Sequence, residues 1–187
     1  MPQHHTTNPG TPQTRLRPGE VVQMGYVVAN LDRALAHWTT RLGVGPFLVA
    51  KQIEYAELFW QEKAIAIETS VALASHGGMQ IELIQQTGGD ASMFTEFLAR
   101  KGGGLHHICV LSDDITRDLV GWRETGTNVL MQGRTKAGIL FAYLDSDPDD
   151  EGRIVELVQP TPGLHKFFSK LDALSEDWDG SDPVRYL

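Results

Sequence analysis

Gly102-Gly103-Gly104-Leu105-His106-His107-Ile108-Cys109-Val110 restarts a pattern that the chain has already run once. The earlier copy is Val21-Val22-Gln23-Met24-Gly25-Tyr26-Val27-Val28, a β-rich run. A shift of 84 residues lays Gln23 on His107, Leu31 on Ile115, Arg33 on Arg117, Leu35 on Leu119 and Trp38 on Trp122. In the first copy Asn30 or Asp32 can cap a helix on which Leu31, Leu35, Trp38 and Leu42 share a face, and Gly43 stops it. Each copy closes on a similar strand, Gln80-Ile81-Glu82-Leu83-Ile84-Gln85 and then Arg153-Ile154-Val155-Glu156-Leu157-Val158-Gln159. A single Ile/Val-Glu-Leu match is weak, since that string recurs by chance. The shared order and shared helix offsets together predict an α+β fold of two duplicated βαβββ modules.

Between these landmarks Gly45-Pro46 marks a turn, Phe47 to Glu62 holds one or two strands, and Ala64 to Ala74 reads as another. His76-Gly77-Gly78 turns the chain into the strand Met79 to Gln85. Ser92 to Lys101 is a short helix with Phe94, Phe97 and Leu98 on one side. The expected organisation is a flexible Pro/Thr-rich tail over residues 1–19, a first module over 20–101, a second over 102–160, and a C-terminal helix and tail over 161–187. Leu164, Phe167, Phe168, Leu171 and Leu174 make that last helix amphipathic. It is expected either as a lid over the cup of the sheet or as a packing element between subunits.

The chain has 187 residues with 16 Lys+Arg against 24 Asp+Glu, a formal charge of −8. That balance argues against a nucleic-acid binder, which needs a basic face. No apolar run suits a membrane span and the N-terminus lacks the apolar core of a signal peptide, so a cytoplasmic location with no membrane partner is expected. The single cysteine, Cys109, excludes an internal disulfide framework and a cysteine-based zinc cluster.

Four polar residues lie on apolar strands, where they are costly. Gln23 is flanked by valine and methionine, Glu82 by Ile81 and Leu83, Glu156 by Val155 and Leu157, and His107 precedes Ile108-Cys109-Val110. A buried carboxylate without a partner costs several kcal/mol or takes up a proton. Taken singly, each glutamate fits the solvent side of an edge strand, His107 fits a satisfied core histidine, and Gln23 an ordinary edge residue. As a set they fall at corresponding positions of the repeat, which points to one shared divalent cation. Gln23, Glu82, His107 and Glu156 would supply one nitrogen and three oxygens, and two carboxylates would neutralise the ion. Such a donor set suits Zn, Ni, Co, Mn or Mg and not thiophilic copper.

These stretches, with Leu31-Asp32 and Asp113-Asp114-Ile115 after the two initial strands, resemble the vicinal-oxygen-chelate superfamily, the glyoxalase, bleomycin-resistance and extradiol-dioxygenase group. The resemblance runs from about Glu20 to Pro160. It implies two βαβββ units forming a cupped, partly closed mixed sheet around a metal, with the four ligand places on Gln23, Glu82, His107 and Glu156. That ligand set is similar to glyoxalase I of the zinc type, while Gly104-Leu105-His106-His107 looks more like methylmalonyl-CoA epimerase. Homodimers are common in this superfamily, and one is expected here.

The resemblance implies a metal-dependent isomerase, epimerase or lyase that moves a proton alpha to a carbonyl of a small substrate. Glu156 is then the first choice for general base and Glu82 its partner. A sequestering protein is the alternative, with Tyr55, Phe59, Trp60, Phe141 and Tyr143 as candidate cleft aromatics, though ordinary packing explains them as well. An extradiol dioxygenase would need a second histidine ligand. His106 is not expected to serve, because adjacent strand residues point to opposite faces. Cys109, two residues beyond His107, should share its face, and Arg134 and Lys136 could hold an anionic group.

Overall fold

The β-branched runs and glycine turns of the sequence become eleven strands of one mixed sheet in a computed structural model, which describes residues 19–146 and 154–187. Most of the expected N-terminal tail, and residues 147–153 at the start of the second closing strand's segment, lie outside the described residues. The first half runs β1 (Val21–Val27), α1 (Leu31–Thr40), β2 (Phe47–Ala50), β3 (Tyr55–Trp60), β4 (Lys63–Ala64), β5 (Ile67–His76) and β6 (Met79–Gly89), then α2 (Met93–Lys101). The second runs β7 (Gly104–Leu111), α3 (Ile115–Glu124), β8 (Asn128–Thr135), β9 (Leu140–Asp145) and β10 (Ile154–Gln159). The chain ends in α4 (Pro162–Glu176) and β11 (Val184–Tyr186).

The strand order is β11-β2-β5-β6-β1-β7-β10-β9-β8-β3-β4. Its centre carries the duplication. β1 runs parallel to β6, β7 runs parallel to β10, and β1 meets β7 antiparallel, with Gln23 opposite Cys109 and Gly25 opposite His107. A local twofold between β1 and β7 exchanges those two pairs, which is the 84-residue shift in three dimensions. The same operation carries the pair Gly25 and Glu82 onto the pair Cys109 and Glu156.

Helix entry repeats the symmetry in detail. Asn30 caps α1 by accepting from the Arg33 N–H at 2.7 Å, and Asp114 caps α3 by accepting from the Arg117 N–H at 3.0 Å. Gln85 Oε1 accepts from the Leu31 N–H at 2.7 Å, and Gln159 Oε1 accepts from the Ile115 N–H at 2.9 Å. Each closing strand thus carries a glutamine that satisfies an orphan donor of its own module's helix.

α1 packs on the outer face of the first half through Leu31 and Leu35, against Phe47, Ala72 and Leu83. α3 does the same in the second half with Ile115 and Leu119 against Ala142, Leu144 and Leu157. The inner face gathers both halves into one cluster, among them Val27, Val71, Ile84, Phe94, Met131, Phe141 and Val158.

Two features depart from the sequence reading, the partner of β3 and a strand in the C-terminal tail, while the incomplete closure of the sheet agrees with it. The segment Phe47 to Glu62 holds two strands of different allegiance: β2 stays in its own half, while β3 crosses to pair with β8 of the other. The crossing occupies an edge that β8 would otherwise expose. The sheet stays open, since its end strands β11 and β4 do not pair with each other. The C-terminal tail contains a strand that no apolar run announced. β11 lies parallel to β2, with the Phe47 N–H donating to the Pro183 carbonyl and the Leu187 N–H to the Val49 carbonyl.

The amphipathic helix lies over the cup, the position that the first of its two expected roles requires. α4, capped by Thr161, packs across β5 with Leu171 buried, and its Asp172 carboxylate accepts from the Ser75 hydroxyl at 2.6 Å. It lies over the inner face.

Candidate metal centre

Two neighbouring rows of side chains cross the middle of the inner face. One runs Glu82, Gly25, His107 from β6 through β1 to β7. The other runs Gln23, Cys109, Glu156 from β1 through β7 to β10. The local twofold exchanges the rows, but their middle members differ. Gly25 leaves room that Cys109 does not: a Cβ added at Gly25 would lie 1.9 Å from Cε1 and 2.2 Å from Nε2 of His107. The imidazole therefore lies over a bare backbone. Interior strand glycines often mark such close approaches. Gly25 is a site residue that sequence reasoning passed over, although that signal was present.

His107 Nε2 lies 3.4 Å from Glu82 Oε2 and 3.3 Å from Glu156 Oε2. Donor atoms of these three residues all fall within 4.8 Å of one another. Neighbouring ligand atoms around a zinc-sized ion with bonds of about 2.1 Å sit about 3.0–3.4 Å apart, so both contacts have the spacing of a shared coordination shell. Burial agrees with that fit. His107 is 1% and Glu156 6% exposed, and neither His107 Nε2 nor Glu82 Oε2 has a hydrogen-bond partner. Polar atoms left bare in an apolar interior are costly unless something compensates them. The residues present thus fit a divalent cation held by Glu82, His107 and Glu156. Gln23, 4% exposed, lines the same cavity from β1.

The protein's own charges respond to this crowding. Burial pushes the Glu82 carboxyl upward, the proximity of Glu156 adds to the rise, and contact with His107 opposes it. Burial alone would lower the His107 imidazole, yet its contacts with Glu156 and Glu82 raise it to about 9. Burial, reinforced by the charges of Glu156 and Glu82, pushes both the Cys109 thiol and the Tyr143 phenol well up. Both stay protonated at neutral pH. Cys109 does face the ligand side, as expected, but as a buried neutral thiol.

His106 corrects the expectation that it points away. The register between β1 and β7 slips by one residue between Gly25/His107 and Tyr26/Leu105, leaving His106 as the extra residue of a β-bulge. Strand alternation fails there. Both imidazoles turn inward, with Nδ1 of His106 3.1 Å from Nδ1 of His107. His106 packs among Phe97, Phe94 and Tyr143, with ring centroids at 4.9, 5.4 and 6.1 Å. If His107 offers its Nε2 lone pair to a metal, its proton sits on Nδ1 and is donated to His106. Burial, with the charges of His107 and Arg100 adding, pushes His106 down to about 3, so it stays a neutral acceptor.

Gln23, Glu82 and Glu156 line a cavity of about 500 Å³, and the buried His107 touches both carboxylates without lining it. Of the aromatic candidates, Tyr55, Phe141 and Tyr143 line it, whereas Phe59 faces a separate groove beside Arg123 and Asn128, and Trp60 packs against the inner core. Arg134 and Lys136 do not form an anion site: they pair with Glu57 at 3.0 Å and Glu54 at 2.8 Å on the exposed surface. No helix among the described residues is long and apolar enough to cross a membrane.

Comparisons with known proteins bear on the same architecture. A hypothetical protein of Bacillus halodurans C-125 is similar in structure with a TM-score of 0.55 at 18% identity, over 76% of this chain and 94% of that one. Methylmalonyl-CoA epimerase from Mycobacterium tuberculosis gives 0.53 at 22% identity, over 83% and 99%. A variant of the Streptomyces coelicolor methylmalonyl-CoA epimerase in complex with 2-nitronate-propionyl-CoA gives 0.51 at 20% identity, over 78% and 99%. At these identities the likeness is one of fold. No curated protein matches the sequence. Residues 22–143 match the glyoxalase/bleomycin resistance protein/dioxygenase superfamily. That match spans well over half of the chain, including both initial strands and the His107 imidazole, and the chain belongs to this superfamily.

Proposed function

We propose that the protein is a metal-dependent enzyme of glyoxalase or epimerase type, acting on a small carbonyl substrate by proton transfer at the carbon alpha to the carbonyl. One observation carries the reading: two carboxylates in the wall of a ligand-sized cavity, Glu156 buried and Glu82 half-buried, each lie within 3.4 Å of one buried imidazole nitrogen. Glu82, His107 and Glu156 would hold the ion, with Gln23 completing the set. When bound, a divalent cation supplies Lewis-acid polarisation of a substrate carbonyl, which acidifies the neighbouring C–H.

The chain's own residues do the rest. Glu156 is assigned the proton and Glu82 is its partner, because a carboxylate has two oxygens and can hold a proton on one. Glu82 and Glu156 come from β6 and β10, on opposite sides of the β1–β7 pair, so they can address a planar intermediate from different directions. That is what epimerisation requires. Tyr143 and Cys109, held protonated, do not compete as bases. The apolar wall and α4 limit water at the reacting carbon.

Sequestration without turnover would explain the apolar cavity but not two carboxylates of its wall set against one buried imidazole. Likeness to methylmalonyl-CoA epimerases is consistent with the proton-transfer reading without specifying the substrate. The test is deuterium incorporation from solvent into α-hydroxycarbonyl and thioester compounds by zinc-, nickel- or cobalt-loaded protein. Glu156→Gln should slow exchange by about 10²–10⁴-fold. Exchange at the wild-type rate in both Glu156→Gln and Glu82→Gln would overturn the assignment.

A further inference from the structure

The cavity's outer walls identify a class of substrate. Ile53, Ile139 and Phe141 line it together with Leu164, Phe167 and Phe168 of α4. α4 follows the last strand of the second module, so part of this wall comes from the C-terminal segment of the chain. It is a fixed wall: Leu171 is 1% exposed beneath it, and the Ser75–Asp172 hydrogen bond ties its middle to β5. Phe167 and Phe168 remain half-buried, with apolar surface left to cover.

Charge points the same way. Among the described residues lining the cavity, none is Lys, Arg or His. Of the basic residues next to lining positions, Lys136 pairs with Glu54, Arg134 with Glu57, and the Lys51 ammonium sits 4.4 Å over the Tyr186 ring, while His165 and Lys166 are exposed on α4 and are not among the lining residues. Burying an anionic group against such walls would leave it unpaired, which is far costlier than burying a hydrocarbon. A cavity of about 500 Å³ also suits a whole small molecule and not merely its reacting end.

We propose that the substrate is an uncharged carbonyl compound bearing an apolar alkyl or aryl group, with α4 contacting that group through Phe167 and Phe168. The carbonyl end of this assignment rests on the metal-dependent reading above; the apolar end rests on the walls alone.

The experiment titrates zinc-loaded protein calorimetrically with three probes that share one chelating end: hydroxyacetone, α-hydroxyacetophenone, and the para-carboxylate of the latter. α-Hydroxyacetophenone should bind at least about tenfold more tightly than either of the others. Phe167→Ala should shrink that preference to about threefold or less while one zinc per chain is retained. The wild-type ranking stands as a test even if the variant folds poorly. Equal or tighter binding of the para-carboxylate, no gain from the phenyl group, or no binding by any probe would each overturn the proposal. Loss of the catalytic reading looks different: the ranking holds, but no probe exchanges deuterium with solvent.

Discussion

Gly25→Ala adds one methyl group and should abolish the metal site. The new Cβ would lie 1.9 Å from His107 Cε1 and 2.2 Å from its Nε2. Carbon atoms in van der Waals contact need about 3.5 Å, so the ring must retreat by about 1.6 Å. It has little room for that. Tyr143 stacks edge-on at 5.0 Å and His106 Nδ1 stands 3.1 Å away. Metal–ligand distances tolerate only about 0.2 Å, so Nε2 leaves the coordination shell altogether. Zinc affinity should fall by at least about 100-fold, as it does when ligand geometry is lost. Overpacking should also cost about 1–3 kcal/mol, or roughly 2–12 °C in Tm for a chain of this size. The assay is a competition titration with a chromophoric zinc chelator, run beside a calorimetric melt of the metal-free protein. Cys109→Ala, altered at the twofold-related position, is the control and should keep its zinc. A folded Gly25→Ala protein with wild-type zinc affinity would refute the reasoning, because the imidazole could not then be a ligand from its present position.

Other perturbations test different parts of the structure. In metal-free protein His107 is raised from 6.5 to about 9, so its proton is held more tightly folded than unfolded. Its contribution, on the order of 3 kcal/mol, is full below about pH 6.5 and is lost as the pH rises through about 9. Urea unfolding of chelator-stripped protein from about pH 6 to pH 9 should show that decline, and a flat profile would contradict it. Gln85→Ala and Gln159→Ala should each cost about 1 kcal/mol, and by similar amounts, because each removes one acceptor from a helix's first N–H; denaturant midpoints would reveal any inequality between the halves. Leu171→Ala should destabilise by about 2–5 kcal/mol and Asp172→Ala by about 1 kcal/mol. Both should expose the cavity to an environment-sensitive dye, and unchanged dye binding would mean that α4 is not the wall.

The duplication was legible because a helix face and its offsets from an initial strand are properties of local sequence. The twofold pairs of the structure, Gln23 with His107 and Glu82 with Glu156, are the pairs that the repeat aligns. The partnership of β3 was not legible. Tyr55 to Trp60 reads as a strand, but nothing in its pattern says that it leaves its own half for β8, 70 residues on. That pairing depends on which edge is left vacant, a property of the assembled sheet. β11 was missed for the same reason: three residues gain strand character only by lying beside β2.

The site shows where alternation stops being a safe rule. A bulge at Val22 precedes Gln23, and a bulge at His106 precedes His107, so the irregularity is itself duplicated. Each bulge re-aims its strand immediately before a site residue, as bulges beside functional sites commonly do. In the second half the extra residue is a histidine, which therefore turns inward beside His107 and can accept its Nδ1 proton. In the first half the extra residue is a valine, and no such acceptor stands behind Gln23. An amide needs none, since its carbonyl oxygen is available without deprotonation or tautomer choice. The asymmetry is then chemically consistent: the imidazole of the second half has His106 of its own strand behind the ring and the vacant space at Gly25 of the first half across the strand pair, while the amide requires neither. A duplicated fold brings four polar positions together by symmetry, and the proposed site for one ion breaks that symmetry at two residues, Gly25 against the imidazole ring and His106 at its far nitrogen.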